Sequence, residues 1–138
     1  NKSYNKRGDR IMTDYNPLFG KGELNIDYAK FFIGDSHLKF LASQGDISVN
    51  NVTFEPGTRN DWHTHSNGFQ ILLVTDGEGW YQEDEKPARK LTKGDVVSIS
   101  DGVKHWHGAT KTSWFSHIAI SKGTTTWLGK VTDEYENL

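Results

Sequence analysis

The sequence predicts an all-β fold, a small barrel or sandwich, on three observations. No segment of ten or more residues carries apolar side chains at helical spacing. Short β-rich runs recur about every eight to twelve residues. Turn residues with a defined backbone preference stand between those runs.

In chain order the predicted strands are residues 29–33, 38–42, 47–54, 69–75, 80–82, 88–91, 96–99, 105–108, 114–120 and 125–131. Glu55-Pro56-Gly57 follows the third with Pro at the second and Gly at the third position of a turn. Asp76-Gly77, Lys93-Gly94-Asp95, Asp101-Gly102 and Lys122-Gly123 each place Gly where a tight connection can require positive φ, and all four are read as turns. Residues 1–36 read as an irregular N-terminal arm with one strand, 37–131 as the barrel and 132–138 as a tail with one helical turn capped by Thr132. The polar stretch from Asn1 to Arg10 fits a processed or added terminus, so residues 1–11 are set aside from the fold prediction.

Composition narrows the function classes. A chain of 138 residues exposes about 7,000 Å² folded against about 22,600 Å² extended, so about two-thirds of its surface can be buried around one core. Sixteen basic and eighteen acidic residues leave a formal charge of −2, which gives no electrostatic footprint for nucleic acid or an anionic membrane. Zero cysteines exclude disulfides, thiolate metal sites and cysteine nucleophiles. No apolar run approaches the ~20 residues that span a bilayer. The expectation is a cytoplasmic protein without nucleic-acid or membrane partners, its chemistry carried by His, Asp, Glu or Lys.

Five of the six histidines lie between positions 63 and 117, as His63-Thr64-His65, His105-Trp106-His107 and His117. On a strand, residues i and i+2 share a face, so each H-x-H pair projects two imidazoles together while Trp106 faces away. Two such pairs inside a barrel can converge on a divalent first-row metal. Which face of the last long strand His117 occupies is open, and His37, outside these groups, reads as a surface residue.

The pairs sit in a longer frame: Gly57-x5-His63-x-His65-x4-Gln70-x6-Gly77, then Gly94-x7-Gly102-x2-His105. This resembles the two-part motif of the cupin superfamily, whose fold is a double-stranded β-helix, a jelly-roll barrel with a metal in its mouth. The resemblance spans residues 52–120 and implies one divalent transition metal per chain, held by His63, His65, Gln70 and His105. Manganese leads, while iron, zinc, nickel and cobalt suit the same donors. The sequence departs from the common pattern at Gln70, where most cupins have Glu, at Ser100 in place of Pro and at Ala109 in place of Asn. A neutral amide leaves the ion its full charge and removes one candidate base.

The stretches Trp62-His63-Thr64-His65, His105-Trp106-His107-Gly108-Ala109 and Ser116-His117-Ile118-Ala119-Ile120 resemble, more narrowly, bacterial single-domain cupins that include manganese-dependent hydroxynitrile lyases. Similar domains occur with carboxymuconolactone decarboxylases, a label that does not transfer because that activity belongs to a helical domain. The narrower resemblance implies that His107 and His117 line the pocket, His117 as acid/base, with Asn50, Val52 and Asn60 shaping it. Gln70 stands one residue further from H-x-H than in that group, so Asn67-Gly68 is read as a one-residue insertion. A metal-dependent lyase or acid/base enzyme on a small hydroxy or carbonyl substrate is the leading reading, beside an iron-dependent oxygenase and a non-catalytic small-molecule-binding module. A homodimer follows from the family resemblance.

Overall fold

The computed structural model describes residues 15–138 and, ahead of them, the backbone of a two-residue ladder, β1 (Ser3–Tyr4) against β2 (Arg10–Ile11). Ten further strands form one sheet: β3 (Glu23–Leu24), β4 (Phe32–Ile33), β5 (Ser36–Gln44), β6 (Ile47–Phe54), β7 (Arg59–Asn60), β8 (Trp62–Glu83), β9 (Arg89–Thr92), β10 (Val96–Ile99), β11 (His105–Ala109) and β12 (Phe115–Gly129). Their order is β3-β5-β6-β12-β8-β11-β7-β4, with β9 and β10 also paired to β8. The sheet wraps into a jelly-roll barrel whose spine is the antiparallel β8–β12 pair.

At 22 residues, β8 far exceeds an ordinary strand. It bends because the β12 ladder is interrupted by register shifts opposite Thr75 and opposite Asn67-Gly68. These shifts correct two of the expected turns. Asp76-Gly77 lies beside one bulge in β8, and Lys122-Gly123 lies in β12 across from another, so neither reverses the chain. Gly77 has φ +73°, and a Cβ there would meet the Trp114 carbonyl oxygen at 1.8 Å. The glycines therefore serve close strand approach rather than hairpins.

Other elements also differ from the sequence reading. Of the strand expected over residues 29–33, Ala29–Phe31 winds into a 3-10 turn and only β4 remains extended. The Asn25 Oδ1 accepts the Tyr28 N–H at 3.3 Å, and the Tyr28 carbonyl accepts the Phe31 N–H, which closes the turn locally. The short strands β3 and β7 carry too few residues for a periodic signal. A terminal helical turn, α1 (Asp133–Glu136), is present, but the Thr132 side chain makes no capping bond; its N–H instead donates to Glu134. Buried rather than surface-exposed, His37 has its Nε2 3.0 Å from Glu55 Oε2.

Two apolar clusters flank the sheet. Inside the barrel, Phe54, Leu72, Val74, Tyr81, Leu91, Val97, Ile99 and Phe115 form the main core. Outside it, Trp62, Trp106, Val131 and Tyr135 pack together under α1. Trp106 thus lies opposite His105 and His107, as the pleat requires. Among the described residues no helix is long and apolar enough to cross a membrane.

Phe54 is fully buried where the core meets the histidines, with ring centroids 5.8 Å from Phe115 and 5.4 Å from His117. Replacing it with Ala is expected to lower the unfolding free energy by ~3–5 kcal/mol in urea denaturation. A loss below ~1 kcal/mol would show that the barrel closes without it.

Candidate metal centre

The three predicted imidazoles meet. One ligand atom each from His63, His65 and His105 lies within 4.8 Å of the other two, and all three residues are buried. Strand pairing explains the convergence: His63 and His65 project inward from β8, and β11 runs alongside with His105 in register with His63. The Nδ1 atoms of His63 and His105 donate to the carbonyls of Asp61 at 2.7 Å and Val103 at 2.8 Å. A carbonyl can only accept, so each ring is held with Nε2 as its free lone pair.

Burial keeps these rings neutral. It holds His63 well below the usual imidazole range, helped by the nearness of His105 and opposed by the Asp61 carbonyl. Burial likewise pushes His105 down to about 4 and lowers His65. Neutral imidazoles are the form that binds a metal. His105 Nε2 is buried without a hydrogen-bond partner among the described residues. A lone pair so placed costs stability unless a cation or donor reaches it, and a divalent ion at the shared centre fits that need. The cluster can therefore hold one metal ion.

Gln70 comes to the same centre through the bulge at Asn67-Gly68. It stands five positions after His65, an odd step that would put the two on opposite faces of a regular strand. The ladder pairs Lys122 with Phe69 and Thr124 with Ser66, so two β8 residues oppose Gly123 alone. The extra residue restores parity and brings Gln70 Oε1 to 3.1 Å from His65 Nε2. Asn67, at φ +59°, is stabilised by Asp101, whose Oδ2 accepts its N–H at 2.7 Å.

These groups open on a cavity of about 420 Å³, within the range of small-molecule sites. Asn50, Val52, Asn60 and His107 line it together with His63, His65 and Gln70. The resemblance placed both His107 and His117 on this wall, and the structure puts only His107 there. His117 is fully buried behind it, between the rings of Phe54 and Phe115, with Nε2 3.0 Å from His107 Nδ1. The Asn60 Oδ1 accepts the His107 backbone N–H at 2.9 Å. Burial holds His107 well below the imidazole range, with His117 nearby adding to the effect, and pushes His117 down to about 3.

Sequence reasoning missed part of the wall. Tyr28, Phe32, Ser121, Thr125 and Trp127 also line the cavity. Trp127 stacks on Phe31 at 4.5 Å and lies 4.9 Å from His63. Its alternation with Thr125 in β12 was a usable signal, whereas nothing in the irregular segment marked Tyr28 or Phe32.

Comparison with known proteins agrees with this architecture. The cupin domain family matches residues 50–120, half the chain. This chain is a cupin. It is 47% identical over 113 residues to an (R)-mandelonitrile lyase of Granulicella tundricola, covering 77% of the cupin and 86% of the lyase. A crystal structure of a cupin-like protein from Thermotoga maritima superposes with a TM-score of 0.80 at 44% identity, covering 88% of this chain and 96% of that one. A more distant match is an acireductone dioxygenase of Granulibacter bethesdensis, 27% identical over 75 residues, or 52% of this chain and 41% of that protein.

Plasma mass spectrometry of the purified cupin is expected to find about one equivalent of transition metal after loading, given one site whose donors are all neutral. The His63→Ala, His105→Ala double variant should retain none. Equal metal in both proteins would mean that the ion sits elsewhere.

Proposed function

We propose that this cupin is a manganese-dependent lyase acting on a small polar substrate that carries a hydroxyl or carbonyl group, with cleavage of a hydroxynitrile as the concrete case. The observation that carries the reading is that His107 stands on the wall of the same cavity as His63, His65 and Gln70. The likeness to an (R)-mandelonitrile lyase supports it. His63, His65, His105 and Gln70 would hold the metal. When bound, such an ion supplies Lewis acidity toward a substrate oxygen or a departing anion.

The chain's own residues handle the proton. His107 Nδ1 faces His117 Nε2, and its other ring nitrogen, 3.3 Å from Asn60 Nδ2 on the cavity wall, is the group for substrate. When His107 donates through Nδ1 to His117, its outer nitrogen is a base; when His117 donates instead, that nitrogen carries a proton and is an acid. In the forward reaction His107 accepts the hydroxyl proton, the carbon–nitrile bond breaks with its electron pair going to the nitrile carbon, and the alkoxide becomes a carbonyl. The proton then passes to cyanide, so hydroxynitrile yields aldehyde and hydrogen cyanide with no oxidant consumed. Burial disfavours the imidazolium on both histidines, so the proton is not held there at rest. His117 holds the tautomer of His107 from behind.

Among the described residues, no lysine, arginine or carboxylate lines the cavity. Asn50, Asn60, Ser121 and Thr125 offer hydrogen bonds, while Phe32, Val52 and Trp127 offer apolar surface. With no charged side chain on this wall, the bound ion would be the countercharge for any anionic group, and the rest of the wall offers only neutral hydrogen bonds and apolar contact. The reading includes a cytoplasmic homodimer, supported by the exposed Leu18, Ile26 and Phe40 side chains. Light scattering should give twice 15.6 kDa, and a mass of one chain would exclude the dimer.

The deciding assay follows release of benzaldehyde from mandelonitrile by ultraviolet absorbance with the manganese-loaded cupin. His107→Ala is expected to lower kcat by about 10²–10⁴-fold, the range of a lost general acid/base, with the bound manganese unchanged. The distant dioxygenase match favours an iron-dependent oxygenase as the second reading. Oxygen uptake by the anaerobically iron-loaded cupin, with no aldehyde release under manganese, would replace the first reading by the second.

A further inference from the structure

The four donors of the proposed site are held from behind in two different ways. His63 and His105 are fixed by backbone carbonyls. His65 and Gln70 have no such carbonyl, and their outer atoms meet hydroxyls of β12 instead. Gln70 Nε2 donates to Ser121 Oγ at 3.0 Å, and His65 Nδ1 lies 3.3 Å from Thr125 Oγ1. The ladder sets these contacts: Ser121 is the direct partner of Gln70, and Thr125 that of His65.

The requirement is sharper for glutamine than for the histidine. A carboxylate presents oxygen whichever way it turns, whereas a carboxamide offers oxygen on one side and an N–H₂ on the other. A cation can be bound only when Oε1 faces it. Ser121 receives the N–H₂ on the far side while Oε1 lies beside His65 Nε2. We infer that Ser121 is the positioning residue that commits the Gln70 carboxamide to its metal-binding orientation. The inference rests on the proposed role of Gln70 as a ligand. It assigns a task to a small hydroxyl on the cavity wall that the proton chemistry does not use.

The β8–β12 bulge makes the arrangement possible. Gly68 and Gly123 lie across from one another; a Cβ on Gly68 would meet the Lys122 carbonyl oxygen at 2.0 Å, and one on Gly123 the Ser66 carbonyl oxygen at 2.3 Å. With side chains excluded there, β12 approaches β8 closely enough for both hydroxyl contacts to form on either side of the irregularity.

The test measures manganese(II) affinity by competition with a chelating dye, alongside the melting temperature of the metal-free protein, for Ser121→Ala, Ser121→Thr and Thr126→Ala. Thr126 is the control, since it pairs with Thr64 between two inward-facing residues of β8. Ser121→Ala is expected to weaken manganese binding by about 10–100-fold, as for loss of groups that orient metal ligands, without moving the metal-free melting temperature. Ser121→Thr should restore binding, and Thr126→Ala should leave it unchanged. Wild-type affinity in Ser121→Ala, an equal loss in Thr126→Ala, or a loss that merely tracks a lower metal-free melting temperature would overturn the inference while leaving the metal centre standing. A wild-type protein that binds no manganese would remove Gln70's proposed role, and the inference with it.

Discussion

The parity of one strand governs this molecule. Side chains of a β-strand alternate strictly between faces, and a one-residue slip sends every following residue to the wrong side. Along β8, after Trp62 in the outer cluster, the barrel-facing buried positions begin at His63 and His65, continue at Gln70, Leu72 and Val74, and resume at Gly79 and Tyr81. The inward set is odd, then even, then odd again. Each change coincides with a bulge against β12, the first across from Gly123 and the second at Thr75. One bulge joins the histidine pair to Gln70; the other joins the core-forming stretch to the residues that pair with β11. Without them a strand of this length would place either the donors or the core in solvent.

Bringing five imidazoles into a barrel has an energetic consequence that the hydrogen bonds answer in part. An unpaired buried polar group costs roughly 1–3 kcal/mol, and five rings offer ten nitrogens. Backbone carbonyls hold His63 and His105 at Nδ1, and His107 and His117 bond to each other. Of the remaining nitrogens, His105 Nε2 lies unpartnered in the metal cluster and His117 Nδ1 is buried unpartnered behind His107. The site is polarised toward cations before any ion arrives, because burial disfavours the charged imidazoles and His63 and His105 have committed their outer protons to carbonyls. The core contributes the complementary constraint: Phe54 packs its ring against both His107 and His117, fixing their planes by contact as well as by hydrogen bonding.

Much of this was legible because it depends on short-range periodicity. The spacing H-x-H fixes a shared face wherever the chain is extended, and glycines at set intervals mark where strands approach closely. What escaped was set by distant partners. Asp76-Gly77 and Lys122-Gly123 carry turn composition, yet turns and bulges draw on the same glycines, and only the opposing strand decides between them. His37 reads as a surface residue until Glu55 arrives to pair with it from 18 positions away. The inward direction of Phe115 and His117, ambiguous from alternation, is settled by where β12 meets Phe54. Ser121 and Thr125 are unremarkable as letters and acquire meaning only as cross-strand partners of Gln70 and His65.

The far end of β12 extends the same logic to the cavity wall. Trp127 is the ladder partner of His63 and also stacks on Phe31, so one side chain links a metal-facing imidazole to the 3-10 turn that carries Tyr28 and Phe32 to the cavity. Beyond it, Lys130 lies 3.0 Å from the Asp61 carboxylate and also donates to the Lys30 carbonyl. Asp61 in turn provides the carbonyl that fixes His63 Nδ1. The irregular N-terminal wall and the donor set are thus tied to one strand end by a stacked ring pair and a charged clamp. A shift of that wall to suit a different ligand pulls on Trp127 or Lys130, besides the β4–β7 pairing of Phe32 with Asn60. Either route leads to His63, so the shape of the cavity and the placement of its donors are mechanically coupled.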